Sequence, residues 1–413
     1  MTFREPRPFE GSPPKWFIIL LGQFVAFGPL SIDMYLPALP DMAWALETDS
    51  AHIQYTLISF FIGFCLGMLF YGPIADIYGR RKVINSGLVL YAVASCVLCF
   101  TSDVECFIFW RFLQAFGAGA AIVMGRAIAR DVYGPAELPR VLSLMQLVTM
   151  SAPLLAPVIG GYLTHWLGFR SIFCFLTLLS VVLFVTTYAV LPETIPERSA
   201  DRSVVVTAFM NYGQLITDRD AFGTIGTLAF TMAGMFAFVA GSPFVYIEYF
   251  EVSETSYGWL FALNVVGMIA VLLLNVQLLK FTSLTSIMTT QVVGMAVVGL
   301  LLWCGHDSSL ACIVVLVVLY ISTTNAIAAN SISQLLKFRP AIAGSATALA
   351  VSSQFGWGGI SSYLLTMFQD GTPWAMCTLM AFFGILSLLC FMLVDRNEVS
   401  TPHDEINDEL NKR

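Results

Sequence analysis

Apolar residues run along this chain in long blocks, without the strict alternation that marks a strand. Twelve blocks stand out, at about 16–37, 53–74, 83–101, 105–129, 140–164, 170–191, 221–247, 257–279, 285–304, 309–335, 340–369 and 374–394. Each is close to or above the roughly 20 residues that an α-helix needs to cross a bilayer. The longest imply tilt, kinks or protrusion. Turn and charge signals separate them, as at Pro37-Ala38-Leu39-Pro40, Gly79-Arg80-Arg81-Lys82, Asp103-Val104-Glu105, Gly134-Pro135 and Leu191-Pro192-Glu193. The pattern predicts an all-α integral membrane protein with twelve transmembrane helices embedded in the lipid bilayer.

Charge gives the orientation. Lysine and arginine gather in the two tails and the even-numbered loops, and Arg170 stands in an odd-numbered one. The odd-numbered loops hold acids instead, among them Asp41, Glu47, Asp49, Asp103, Glu105, Glu251, Glu254, Asp307 and Asp370. By the positive-inside rule both termini are expected in the cytoplasm. The first block, Trp16 to Leu36, is longer than a signal-peptide core and lacks a small-residue cleavage site, so it is expected to remain as a span.

Composition narrows the function classes. The chain is 57% hydrophobic and 11% charged, against about 25% charged in an ordinary soluble domain. This excludes a soluble enzyme, a disordered chain and a disulfide-stapled secreted domain. A net charge of −7 also argues against nucleic acid as a partner. Cys96 and Cys99 form a CxxC inside an apolar helix with no histidine nearby, which reads as packing. Nothing calls for a metal or another cofactor. No nucleophile or paired carboxylates suggest an enzyme.

The blocks divide six and six around a polar stretch. The expected organisation is an N-tail at 1–15, a first six-helix bundle at 16–191, a cytoplasmic linker at 192–220, a second bundle at 221–394 and an acidic tail at 395–413. Transporters built from two related bundles have this layout, with a site between them. One chain has enough spans for its own pathway, so it is expected to function as a monomer.

Two ionisable residues are expected at membrane depth, Asp33 in span 1 and Arg111 in span 4. Charge in hydrocarbon is costly, so both should face a polar interior. A buried carboxyl whose proton affinity depends on occupancy can exchange a proton for a substrate. Asp33 is the candidate for that role. Arg111 either holds a helix or holds a ligand or proton acceptor, with Gln114 at i+3 on the same face. Further polar groups within spans are Gln23, Gln146, Ser151, Asn264, Gln291, Asn325, Asn330, Gln334 and Gln354. With Tyr35, Phe230, Phe236 and methionines as apolar walls, they suggest a cavity for small amphiphilic molecules. Tyr35, Gln114, Gln146, Phe236, Asn264 and Asn330 are the cavity candidates.

Two motifs suggest moving parts. The loop Gly72-Pro73-Ile74-Ala75-Asp76-Ile77-Tyr78-Gly79-Arg80-Arg81-Lys82 sets a carboxylate and three cations on a glycine turn. Arg80 is expected to pair with Asp131, and Asp76 with the helix N-terminus near Arg339-Pro340, latching the halves at the cytoplasmic gate. In span 5, Pro153 and Pro157 each remove a helix hydrogen bond, and Gly160-Gly161 permits close packing. This run is the candidate hinge.

These motifs resemble the major facilitator superfamily. Gly72-x-x-x-Asp76-x-x-Gly79-Arg80-Arg81-Lys82 resembles its signature loop. Arg111-Phe-Leu-Gln114-x-x-Gly117 resembles the span-4 motif of proton-coupled members, and the span-5 run resembles the antiporter motif of drug exporters. Asp33-Met-Tyr35-Leu-Pro37-Ala-Leu-Pro40, Arg130-Asp131-Val-Tyr133 and Ser242-Pro243-Phe244 are similar to the bicyclomycin/chloramphenicol-resistance (Bcr/CflA) branch of drug:proton antiporters. The resemblance implies the major facilitator fold and proton-driven export of drugs such as phenicols or bicyclomycin-like compounds across a bacterial inner membrane. Asp33 and Arg111 would couple protons, and Asp76, Arg80 and Asp131 would form the inner latch. Ile77 stands where many members have arginine, and Phe24-Val25-Ala26-Phe27 lacks the second span-1 acid of some relatives. A proton-coupled importer, or a dedicated exporter of an endogenous metabolite or siderophore, is the alternative.

Overall fold

The computed structural model describes residues 13–134, 137–194, 203–339 and 342–394. Pro135, Pro340, most of the N-tail and the acidic tail lie outside the described residues. No strand occurs among those described. The chain folds as α1 (Lys15–Asp33), a 3-10 turn (Leu36–Ala38), α2 (Leu39–Ala45), α3 (Ser50–Tyr78), α4 (Arg80–Phe100), α5 (Val104–Val132), α6 (Leu138–Leu167) and α7 (Arg170–Val190). There follow α8 (Ser203–Thr217), α9 (Arg219–Pro243) with a π turn (Phe244–Tyr249), α10 (Glu254–Leu278), α11 (Leu284–Cys304), α12 (Leu310–Phe338), α13 (Ala343–Phe368) and α14 (Trp374–Leu393).

Helices α1, α3–α7 and α9–α14 correspond to the twelve apolar blocks. Eleven of the candidate spans are long and apolar enough to cross a membrane by length and composition. The twelfth, α13, has the length, but Ser345, Thr347, Ser352, Ser353, Gln354, Ser361, Ser362 and four glycines dilute it. Acids of the odd-numbered loops serve as helix caps. Asp49 caps α3 by accepting the His52 N–H at 2.6 Å, and Asp103 caps α5 by accepting the Cys106 N–H at 2.7 Å.

Two compact units result. The first holds the chain up to Phe209 together with Pro243–Ala262, and the second holds Met210–Ser242 and the chain from Leu263 onward. The sequence division places 243–262 with the second bundle. Contact places it with the first, because α6 and the start of α10 meet on glycine. A Cβ at Gly161 would sit 2.7 Å from the Glu254 carbonyl oxygen, and one at Gly258 would sit 2.8 Å from the Val158 Cα. The linker also differs from a plain loop. It contains α8, where Val206, Ala208, Phe209, Met210, Leu215 and Ile216 supply apolar positions. Phe209 packs tilted against Phe70, ring centres 5.4 Å apart, in the first unit, and Asn211 donates to Ser345 Oγ at 3.2 Å in the second.

In the first unit α5 is the central helix, and small residues let its neighbours close on it. A Cβ at Gly119 would lie 3.0 Å from the Gly67 Cα of α3. One at Gly117 would lie 2.7 Å from the Gly87 carbonyl of α4. That closeness brings α1, α3, α4 and α7 around Arg111.

Candidate functional site

Arg111 is wholly buried in α5. Its Nη1 donates to Gln114 Oε1 at 2.6 Å, and Gln114 Nε2 donates to Ser95 Oγ of α4 at 2.7 Å. The guanidinium carbon lies 4.2 Å from the ring centre of Tyr35, 4.3 Å from that of Phe60 and 5.8 Å from that of Phe173. Cation–π attraction is strongest in such a desolvated setting. Nε and Nη2 carry no hydrogen bond to the described residues. Among the described residues no carboxylate pairs with Arg111; its charge rests on aromatic faces and one amide. Tyr35 is fixed in turn by its hydroxyl, 3.1 Å from Thr56 Oγ1 of α3.

Asp33 ends α1 and is 7% exposed. Pro29, one turn earlier, interrupts the helix hydrogen bonding of this segment. Ser31 Oγ donates back to the Phe27 carbonyl at 2.6 Å and meets the Tyr91 hydroxyl of α4 at 2.6 Å. Asp33 itself makes no ion pair or hydrogen bond with the described residues. Asp33 and Arg111 thus share one unit without an ion pair or hydrogen bond between them, and Arg111 rests on the ring of Tyr35, two residues after Asp33. Directly behind Asp33, a Cβ at Gly160 would collide with the Met34 carbonyl oxygen. The Pro153–Gly161 run thus packs against the backbone of Met34, next to the candidate acid, on one side and against the start of α10 on the other. Helix α6 remains continuous through both prolines.

The other cavity candidates are divided between the two units. Gln146 is exposed on α6. In the second unit, Phe236 is buried against Phe355 at 5.4 Å, and Asn264 is buried in α10. Asn330 of α12 is held at both ends of its amide. Its Nδ2 donates to Asn275 Oδ1 at 2.9 Å and to Gln291 Oε1 at 3.2 Å, and its Oδ1 accepts from Asn275 Nδ2 at 3.2 Å. Gln291 Nε2 completes the cluster on Asn275 Oδ1 at 3.0 Å. Asn330 therefore ties α10, α11 and α12 instead of presenting a free amide, and Asn275, which the sequence reading omits, is the hub.

The cytoplasmic gate candidates form one charged network. Arg80 Nη1 lies 2.8 Å from Asp76 and Arg80 Nε 3.2 Å from Asp131. Thr194 Oγ1 also donates to Asp131, at 3.0 Å. Gly79 has φ +94°, open to glycine but strained for other residues, and a Cβ there would strike the Glu193 carboxylate. Glu193 Oε1 accepts the Arg80 and Thr194 N–H groups at 2.9 and 3.1 Å, so it caps α4. Arg81 Nη2 donates to the Tyr188 carbonyl at 2.7 Å. A Cβ at Gly72 would only just touch Val123, at 3.9 Å. All these residues belong to the first unit, so Arg80–Asp131 binds α3, α4 and α5 of one bundle. Of the expected Asp76 partner, the helix N-terminus near Arg339-Pro340, Pro340 lies outside the described residues. Glu193 is a missed participant, visible in sequence only as a break signal.

Arg126 is missed as well. It stands inside α5, one turn before Arg130, and makes no ion pair or hydrogen bond with the described residues. Its place near the end of a long apolar block disguises it as loop charge.

A bundle of long apolar helices, with a buried cation, a buried acid and a charged helix–turn–helix joint at Gly79 after its second span, fits a membrane carrier. A family model described as Major Facilitator Superfamily matches residues 19–362. The chain belongs to the major facilitator superfamily. It is a multi-pass membrane transporter. Among major facilitator relatives, the bicyclomycin resistance protein homolog of Haemophilus influenzae is 29% identical over 387 residues, covering 92% of this chain and 96% of that one. The chloramphenicol resistance protein of Pseudomonas aeruginosa is 32% identical over 256 residues, covering 61% of this chain and 59% of that one. A crystal structure of a D-xylose-proton symporter shares the major facilitator fold, with a TM-score of 0.73 at 15% identity over 94% of this chain and all of that one.

Proposed function

We propose that this transporter exports small amphiphilic molecules, such as phenicols or bicyclomycin-like compounds, across a bacterial inner membrane in exchange for protons. It does so as a monomer, by alternating access of its two six-helix bundles, with both termini cytoplasmic. The observation that carries the reading is Asp33: a carboxylate buried at the end of the first span, with no ion pair among the described residues. A buried carboxylate without a partner is costly, whereas its protonated form tolerates burial. Occupancy by a proton or by substrate then decides which conformations are accessible. A proton bound from outside neutralises Asp33 as substrate leaves outward, and it is released inward when the next substrate binds from the cytoplasm. Arg111 acts on this exchange through Tyr35, on whose ring it rests. The likeness to proteins named for bicyclomycin and chloramphenicol resistance supports the substrate class.

The test uses inside-out membrane vesicles carrying the native chain or Asp33→Asn. An acid-inside gradient is followed with a pH-sensitive dye while chloramphenicol, bicyclomycin and dyes are added singly. The expected result is dissipation of the gradient by at least one compound with the native chain and none with the variant. Equal responses from both would make Asp33 structural. No response to any compound would point away from drug export.

A further inference from the structure

We propose that Cys99 and Cys174 form a reversible disulfide that staples α4 to α7 at the outer end of the first unit. The two sulfur atoms lie 3.3 Å apart, although the residues are 75 positions apart in sequence. Cys99 occupies the last turn of α4, which ends at Phe100, and Cys174 the second turn of α7, which begins at Arg170. The helices are clamped on both sides of the sulfurs. Towards the loop, Arg170 Nη2 donates to the Thr101 carbonyl at 3.3 Å and to Ser102 Oγ at 3.1 Å. Deeper, Ser180 Oγ donates to the Leu88 carbonyl at 3.0 Å. The sulfurs are thus held facing each other. To bond at about 2.05 Å the sulfurs have only to close from 3.3 Å.

The surroundings order the chemistry. Cys174 is exposed, whereas Cys99 is buried with its thiol donating to the Ser95 carbonyl at 3.3 Å. The Cys174 thiolate attacks a small disulfide RSSR, forming a mixed disulfide and releasing one RS⁻. The Cys99 thiolate then attacks the Cys174 sulfur, closing the intramolecular bond and releasing the second RS⁻. Two protein thiols lose two electrons and two protons, and RSSR is reduced to two RSH. Cys96, exposed one turn away on α4, is the competing thiol, but it shares a helix with Cys99 and crosslinks no second element. That the pair meets an oxidising compartment rests on the orientation proposed above; its geometry does not. Both helices lie within one unit, so the staple stiffens a bundle without tying it to the other.

The full chain is purified in detergent, incubated with glutathione disulfide, alkylated, digested and examined by mass spectrometry, alongside Cys174→Ser, Cys99→Ser and Cys96→Ser. The expected product is a crosslinked peptide pair containing Cys99 and Cys174. It should be lost in Cys174→Ser and Cys99→Ser, kept in Cys96→Ser, and reversed by dithiothreitol. Oxidation should raise the melting temperature of the native chain by several degrees and leave that of Cys174→Ser unchanged. Because Cys174 is exposed, its serine variant is expected to fold. Full alkylation of both cysteines after oxidation, or a Cys96–Cys99 product instead, would overturn the proposal. Both outcomes are independent of proton coupling, which Asp33→Asn tests separately.

Discussion

Gly160 of α6 lies so close to the backbone carbonyl of Met34 that no side chain fits between them. Its neighbour in that contact is the residue after Asp33. Any shift of the span-5 run relative to α1 is therefore felt at the buried acid. Gly160→Ala must displace backbone, which cannot rotate aside as a side chain can. A destabilisation of about 1–3 kcal/mol is expected from overpacking, together with loss of transport. Gly213→Ala, where a Cβ meets nothing within 4 Å, is the control. Thermal unfolding and vesicle transport on both variants check this.

Arg111→Lys keeps the positive charge and loses the planar group that rests between Tyr35 and Phe60. It also loses the geometry of the Gln114 bond. The expected result is a fall in transport of about ten-fold, equivalent to about 1.4 kcal/mol. Transport retained in Arg111→Lys but lost in Arg111→Gln would show that only the charge matters.

Arg80→Ala unpairs Asp76 and Asp131 together. Since the Arg80 side chain is 12% exposed, the effect should exceed the roughly 0.2–1 kcal/mol of an open surface pair. A double-mutant cycle with Asp131→Ala should give a coupling of about 1–2 kcal/mol in stability. A coupling near zero would mean that the pair is decorative.

Asn330→Ala leaves the Asn275 and Gln291 amides short of partners, at an expected cost of about 1–3 kcal/mol. The transport KM should stay close to native, because the amide serves its neighbours. A large rise in KM with unchanged stability would return Asn330 to the substrate path.

Much of this molecule was legible in its sequence. The twelve blocks follow from length and hydropathy. The motif from Gly72 to Lys82 could be read because its residues are contiguous, although it is no loop: α3 runs to Tyr78, α4 starts at Arg80, and Gly79 alone makes the turn with a positive φ. What escaped was set by three-dimensional neighbours. Glu193 caps a helix more than one hundred residues earlier, Asn275 meets Asn330 across two helices, and Cys174 meets Cys99 although only Cys96 is near it in sequence. Helix α8 escaped because its apolar positions are too few for a span and sit within a polar stretch. Asp33 and Arg111 were each recognisable as buried charges, yet nothing local indicated that aromatic rings, not Asp33, would hold the arginine.

The α3–α5 end of the first unit is fastened by ion pairs around Arg80, and the α10–α12 junction of the second by three neutral carboxamides. Dissolved salt weakens the former by screening and leaves the latter untouched. These two fastenings should therefore respond unequally to ionic strength: the medium acts as a dial on the α3–α5 clasp while the carboxamide knot of α10–α12 keeps its setting.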